Sequence, residues 1–542
     1  MFKENNNHFQ NSLFDTTQWM NSSVKKKYES SWAPIFYEHV FKKIDEKPFA
    51  VLFSDIGRSN FPINYLLSLE YLKHMLVFND EELIEGFYFN YLVSSSLGIK
   101  VLGEVNLAAR TLYYFRERIY SYLAEHPEEE DPLFGQFISL LENFSKEASI
   151  KLDLQRTDTT MFKSNIKKAG RLSLAYDVLR LAVNSIPEDK LTDSLKATME
   201  ASFKKDLLYL TKSDQTETKL TKVLNLCGEA QDILSKEQGT EGADSLRIIS
   251  RFLNEQSISD ADQEKLIPIS KDKITSDSLQ SAYDEDATYR TKGSVKQSGY
   301  VLELSETCSK ENPFQLITDY ETAPNNKSDI ELLTDRLGNI KENTGCSDMY
   351  VDGGFHSNEV STEAGKNSIN IHLTDMSGKK PYKKLPITAF EIDPKEFILI
   401  RCPAGHSGYN KSVRDSQSVM HLPLDTCRGC DMFNMCHSKI QKKDCVVRVQ
   451  VNAIKSAFTR QQIEKEQKEN TSMRAAIEGT NSSIKRTGLN HMQVRGLIKV
   501  SVAAGLMCMA QNIKRFIRFK QGGYEPRKPR MRRQGIIAPS FG

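Results

Sequence analysis

Between Ser298 and Leu373 short strand runs recur in quick succession, and their order constrains the fold more than any other feature. Ser298-Gly-Tyr-Val-Leu-Glu-Leu-Ser and Gln315-Leu-Ile-Thr-Asp-Tyr-Glu-Thr read as strands, and a helix spans Asp329 to Ile340. Asp348-Met-Tyr-Val-Asp-Gly-Gly-Phe355 and Ile369-Asn-Ile-His-Leu373 follow as further strands. Upstream, Ile150-Lys-Leu-Asp-Leu-Gln alternates apolar and polar residues as a half-buried strand does, and leads into Arg156-Thr-Asp-Thr-Thr160. Two acids, Asp158 and Asp352, therefore stand at predicted strand ends, on strands that a mixed sheet can bring side by side.

The remainder divides around this pattern. A chain of 542 residues exceeds what one hydrophobic core usually holds, and 39% hydrophobic with 27% charged residues is ordinary for a folded protein of two or three packed units. A polar segment covers 1–34, and apolar residues at helical spacing through 35–145 predict an all-α N-terminal domain, with Asn79 and the acids after it as a helix start. A helical insertion and polar linker occupy 164–281, a Cys-rich insertion 378–450, and a basic tail 521–542. No run reaches the roughly 18 to 20 apolar residues of a membrane span, and Met1-Phe-Lys-Glu-Asn-Asn-Asn7 lacks the apolar core of a signal peptide, so a cytoplasmic protein is expected.

Three acids converging from two strands and a helix suit phosphodiester chemistry, because two divalent cations about 3.5 to 4 Å apart can activate a water and stabilise a leaving oxygen. The third acid is Glu478 in Arg474-Ala-Ala-Ile-Glu-Gly-Thr-Asn-Ser-Ser-Ile-Lys485, where Arg474, Glu478 and Lys485 fall near one helical face. Asp284 and Asp286 also precede strand signals, so the first acid is Asp158 or Asp284; the clearer strand before Asp158 favours it.

Asp-Thr-Thr at 158–160, Asp-Gly-Gly-Phe at 352–355 and Arg-x3-Glu-x6-Lys at 474–485 together resemble DDE-type transposases of bacterial insertion sequences, the class with the Tyr-Arg-Glu-Lys signature. Thr471 stands where that signature has Tyr. Further similar text lies at Arg58-Ser-Asn-Phe-Pro62, Leu107-Ala-Ala-Arg-Thr-Leu-Tyr-Tyr-Phe-Arg116, Tyr283–Gly293, Ser305-Glu-Thr-Cys308, Val494-Arg-Gly-Leu-Ile-Lys-Val500 and Gln511-Asn-Ile-Lys-Arg515. The resemblance implies an RNase H-like α/β catalytic core over 146–520, preceded by the helical domain, that binds terminal inverted repeats. It implies Mg²⁺ or Mn²⁺ on Asp158, Asp352 and Glu478, DNA cleavage, strand transfer by 3′-hydroxyl attack on target DNA, and a homodimer in the synaptic complex. Rival readings are a metal nuclease without strand transfer and an inactive DNA-binding protein with structural zinc.

Nine cysteines include a cluster with Cys402-Pro-Ala-Gly-His406, Cys427-Arg-Gly-Cys430 and Cys436-His437. A Cys-x2-Cys knuckle with two more soft ligands is a tetrahedral zinc pattern, closed to water and therefore structural. Cys402, Cys427, Cys430 and Cys436 are the expected ligands, with His406, His437 or Cys445 as substitutes. The net charge of +2, from 73 basic and 71 acidic residues, neither requires nor excludes DNA. Candidate DNA contacts are Arg58, Arg110, Arg116, Arg118, Arg495, Lys514 and Arg515, together with Arg518, Lys520 and the tail residues Arg527, Lys528, Arg530, Arg532 and Arg533.

Overall fold

Leu154–Lys163 (β1) is rich in β-branched threonine and forms the centre of the main sheet in the computed structural model, which describes residues 1–6, 15–167, 169–236, 242–260, 265–375 and 384–524. A small hairpin, Ser257–Asp260 (β2) with Lys265–Pro268 (β3), lies apart from it. The main sheet adds Thr288–Lys292 (β4), Val295–Thr307 (β5), Ile317–Pro324 (β6), Asp348–Val351 (β7) and Asn370–Leu373 (β8). Its order is β6-β5-β1-β7-β8, with β4 pairing the first half of β5 and β6 the second. β5 runs antiparallel to β1 and β6, whereas β7 and β8 run parallel to β1.

The helix Asp329–Thr344 begins in a capping box of Ser328 and Glu331, ends at Gly345 in the left-handed conformation (φ 67°), and buries Leu332, Leu333, Leu337 and Ile340. The long helix Leu497–Lys520 packs against β6, where Gly505 lies so close to the Tyr320 ring that a Cβ has no room.

The N-terminal helices are not a separately packed domain. Ile63–Leu76 is buried almost all round, as a helix apolar on every side must be, and packs against Leu497–Lys520. One continuous core joins Leu66, Leu69, Leu112, Phe137 and Phe144 to Leu302 and Leu304 of the sheet and to Val500, Met509 and Phe516. The helical insertion differs: Arg171–Asn184, Thr216–Ser235 and Ala243–Gln256 enclose a core of their own. It also contains the β2–β3 hairpin, which its polar composition does not announce.

The Cys-rich region is a β module with its own core. It comprises Glu391–Ile392 (β9), Leu399–Arg401 (β10), Tyr409–Arg414 (β11), Gln417–Pro423 (β12), Ser438–Ile440 (β13) and Asp444–Gln450 (β14). At Gln450 the chain passes directly into the helix Val451–Ala475. The expected single helix through 474–485 is broken at Ala476, and Ile477–Arg486 follows as a separate helix. Within the described residues no helix is long and apolar enough to cross a membrane.

Candidate active site

Parallel pairing of β1 with β7 sets Leu154, Gln155 and Arg156 against Asp348, Met349 and Tyr350. Continuing this register by two residues puts Asp158 beside Asp352, the residue that follows the last residue of β7. Asp158 is thus inside β1 rather than at its end as expected; the strand that ends is β7. Asp352 stops it by capping the turn Gly353–Phe355, with its Oδ1 accepting from the Gly354 amide at 2.7 Å. Gly353 is packed so closely on Asp375 that a Cβ would collide with it.

Arg474, in the last turn of Val451–Ala475, joins all three acids. Its guanidinium lies 3.2 Å from Asp158 Oδ1, 3.5 Å from Asp352 Oδ2 and 3.6 Å from Glu478 Oε1. Asn481, one turn beyond Glu478, donates from Nδ2 to Asp158 Oδ2 at 3.0 Å, while its Oδ1 is buried without a partner. The acids grade from the interior to solvent, with side chains 13%, 34% and 69% exposed for Asp158, Asp352 and Glu478. Burial raises the Asp158 carboxyl above its ordinary value; Arg474 opposes this and the charge of Asp352 adds to it.

A buried ionic network holds the helix break over β1. Glu306, wholly buried on β5, pairs with Arg156 at 2.7 Å and Arg515 at 2.9 Å and accepts from Thr480 Oγ1 at 2.8 Å. Arg156 Nη1 also donates to the Met473 carbonyl at 2.7 Å, an acceptor that an uninterrupted helix would offer to Ile477. Glu306, Asn481 and the structural use of Arg156 were not singled out from the sequence. The available signal was an acid in the apolar strand run Tyr300–Thr307.

Asp284 is engaged elsewhere. It is 2% exposed and accepts from the Ser164 and Tyr300 hydroxyls and the Gly496 amide, while Asp286 accepts from the Leu497 amide at 2.7 Å. The pair thus anchors the start of Leu497–Lys520.

Among the described residues no three His, Cys, Asp or Glu side chains converge closely enough to hold an ion as they stand. The donor chemistry nevertheless fits: three carboxylates of graded burial share one counter-cation, and hard oxygen donors suit Mg²⁺ or Mn²⁺. In the β module Cys402, His406, Cys427, Cys430 and Cys436 line one cavity. Burial pushes the Cys427 thiol up to about 11 and also raises Cys436. His437 is bonded to the Leu385 carbonyl at 2.9 Å, and Cys445 is buried on β14. The four cysteines line this cavity without converging on one ion position.

The candidate DNA contacts divide. Arg58 and Arg110 are exposed. Arg116 is spent on Glu70 at 2.8 Å and Asp80 at 2.7 Å, and Arg515 on Glu306, so buried carboxylates take both guanidiniums expected at phosphates. Arg118 donates to the Leu52 carbonyl and lies over Phe53; Arg495 donates to the Asn165 carbonyl and lies over Tyr283. Burial lowers the Lys514 ammonium, and Lys485 is half-buried in the helix that carries Glu478. The tail residues from Arg527 to Arg533 lie outside the described residues.

The sheet order and the carboxylates are those of an α/β protein compatible with an RNase H-like core. Residues 401–517 match the family described as a transposase DDE domain, which supports a DDE-type transposase with a nucleic-acid-cutting or transfer activity. The matched segment contains the cysteines from Cys402 to Cys436, Arg474, Glu478 and Lys485, and stops short of Asp158 and Asp352. No curated protein and no solved structure matches the chain.

Proposed function

We propose that the chain is a transposase of the Tyr-Arg-Glu-Lys class that cuts DNA at the ends of an insertion sequence and joins the freed 3′-hydroxyl to target DNA. The observation that carries this reading is the β1–β7 register, which sets Asp158 against Asp352 under the helix break bearing Arg474 and Glu478. These three acids would hold the divalent ions. When bound, such ions supply a water of lowered pKa and stabilise the leaving oxygen.

The protein's own groups do the remaining work. Asn481 fixes the Asp158 carboxylate, and the Gly354 amide fixes that of Asp352, so the two present one oxygen each toward Arg474. Arg474 balances the charge of the acids and has the planar donor fork that matches a phosphate. Lys485 supplies a second cation on the same helix as Glu478. Zinc on Cys402, Cys427, Cys430 and Cys436 would close the β module, which leads into the Arg474 helix. A cytoplasmic protein acting as a dimer on paired element ends follows from the same reading.

The test uses DNA carrying the sequences on either side of the coding region, with Mg²⁺. Joined products support transposition, nicks alone make the protein a nuclease, and binding without cutting makes it a DNA-binding protein.

A further inference from the structure

Arg474 is bonded differently from the arginines that hold this protein together. Arg116, Arg156 and Arg336 each donate from Nε to a carboxylate, at 2.8, 2.9 and 2.9 Å, and use their terminal nitrogens as well. These are the lengths of charge-assisted bonds. Arg474 reaches its three acids with Nη1 and Nη2 at 3.2, 3.5 and 3.6 Å, and its buried Nε has no partner. A buried donor without a partner costs stability, so the attraction of the acids, not a satisfied bonding pattern, keeps the guanidinium where it is.

The oxygens it faces are the ones left over. Asp158 Oδ2 is taken by Asn481 and Asp352 Oδ1 by the Gly354 amide, so each of these acids has one oxygen for a cation, and Arg474 lies against both. A divalent ion needs the same two oxygens, together with Glu478, and two cations repel at such separations. As they stand, the three acids surround the guanidinium and do not converge on an ion. The route out lies on the Glu478 side, where that side chain is 69% exposed against 13% for Asp158. A phosphate would meet the planar donor fork with shorter bonds than these acids do.

We infer that Arg474 is a plug on the carboxylate site: it occupies the oxygens that a divalent ion needs and gives them up when an oxyanion of the DNA backbone takes its fork. The inference rests on the reading of the three acids as the ion site of a DNA-cutting protein. Its consequence is that ions and DNA load together. Bound DNA raises the affinity for ions, and by linkage ions raise the affinity for DNA by the same factor.

The experiment titrates the full-length protein with Mn²⁺ and follows the free ion by electron paramagnetic resonance. Without DNA, Arg474→Met, which keeps the length of the side chain and removes its charge, should bind Mn²⁺ about tenfold more tightly than wild type. Arg474→Lys keeps the charge and should stay within about threefold of wild type. Arg486, exposed on the helix that carries Glu478, controls for overall charge, and Arg486→Met should shift the affinity by less than about twofold. Adding duplex, with the ions held by duplex alone subtracted, should tighten Mn²⁺ binding by a larger factor in wild type than in Arg474→Met. Melting curves show that each variant is folded, and Arg474→Gln replaces the methionine variant if that one is not. Mn²⁺ binding by the neutral variant no tighter than wild type without DNA, or an equal gain from duplex in the two, overturns the plug alone. If Asp352→Asn binds Mn²⁺ as tightly as wild type, or if none of the proteins binds it with or without duplex, the underlying reading falls and the plug with it.

Discussion

Glu303 sits in the middle of β5 with both carboxyl oxygens buried and unpartnered, opposite Thr159 on β1 and Glu321 on β6. Burial, and after it the charge of Asp319, holds its carboxyl well above the ordinary value of 4.5, with Arg336 opposing. Unfolded chains therefore release this proton first as pH rises past 4.5. Stability falls by ~1.4 kcal/mol per pH unit until the folded carboxyl also ionises. Glu303→Gln removes that slope, and its amide can donate to neighbouring acids. Its melting temperature should match wild type near pH 4 and exceed it at neutral pH; equal curves at both would show that Glu303 has a partner in solution. At the candidate active site, Asp352→Asn and Glu478→Gln should bind DNA as wild type does and lose cleavage, measured as nicks per enzyme on an end-containing substrate. Asn481→Ala, which frees Asp158 without deleting a carboxylate, should lower cleavage by about 10- to 100-fold. Wild-type cutting by either carboxylate variant would remove it from the site. The motifs at Asp352 and Glu478 were readable as short local strings. The choice between Asp158 and Asp284 was less so, because the groups that occupy Asp284, on Ser164, Tyr300 and Gly496, are distant in sequence and have no signature of their own.

The strands from Val295 to Leu373 follow closely from periodicity, since one face of each is buried and alternation records it, whereas four of the six residues of the run Ile150–Gln155 precede β1. The helix break at Ala476 does not follow from periodicity, because Arg474-Ala-Ala-Ile is good helix-forming sequence. A tertiary contact lies at the break: Arg156 donates to the Met473 carbonyl, and Glu306 fixes Arg156. This makes the network testable as a unit. Glu306→Gln leaves Arg156 and Arg515 buried without their shared counter-charge and should destabilise the protein by about 3 to 5 kcal/mol in denaturant unfolding. Arg156→Met should cost less than this and let the helix run on through Ala476, visible as slowed amide exchange at Ile477. Unchanged exchange there would mean that the break has another cause.

Both the N-terminal helices and the insertion after β1 read as amphipathic helices, and spacing alone cannot say what their apolar faces meet. The structure separates them. The N-terminal helices share the core of Leu302, Leu304 and Phe516, whereas the insertion closes on Leu179, Val223, Leu224, Ile249 and Phe252. The insertion also begins and ends at one place, because Arg171 donates to both the Gln256 and the Ile269 carbonyls. Loop-closure entropy changes only slowly with length, so replacing such a unit by a short linker costs little if its contacts are internal. Replacing residues 171–269 with a flexible linker should therefore leave a folded protein that keeps Mn²⁺-dependent stabilisation of the carboxylate site. Removing residues 1–150 uncovers the apolar face of Leu497–Lys520 and should yield an aggregated or unfolded chain. The comparison requires only solubility, circular dichroism and a thermal melt with and without Mn²⁺. A soluble, cooperatively melting 151–542 fragment would show that the helical region is a separable domain after all, and that the shared core is an interface rather than the interior of one fold.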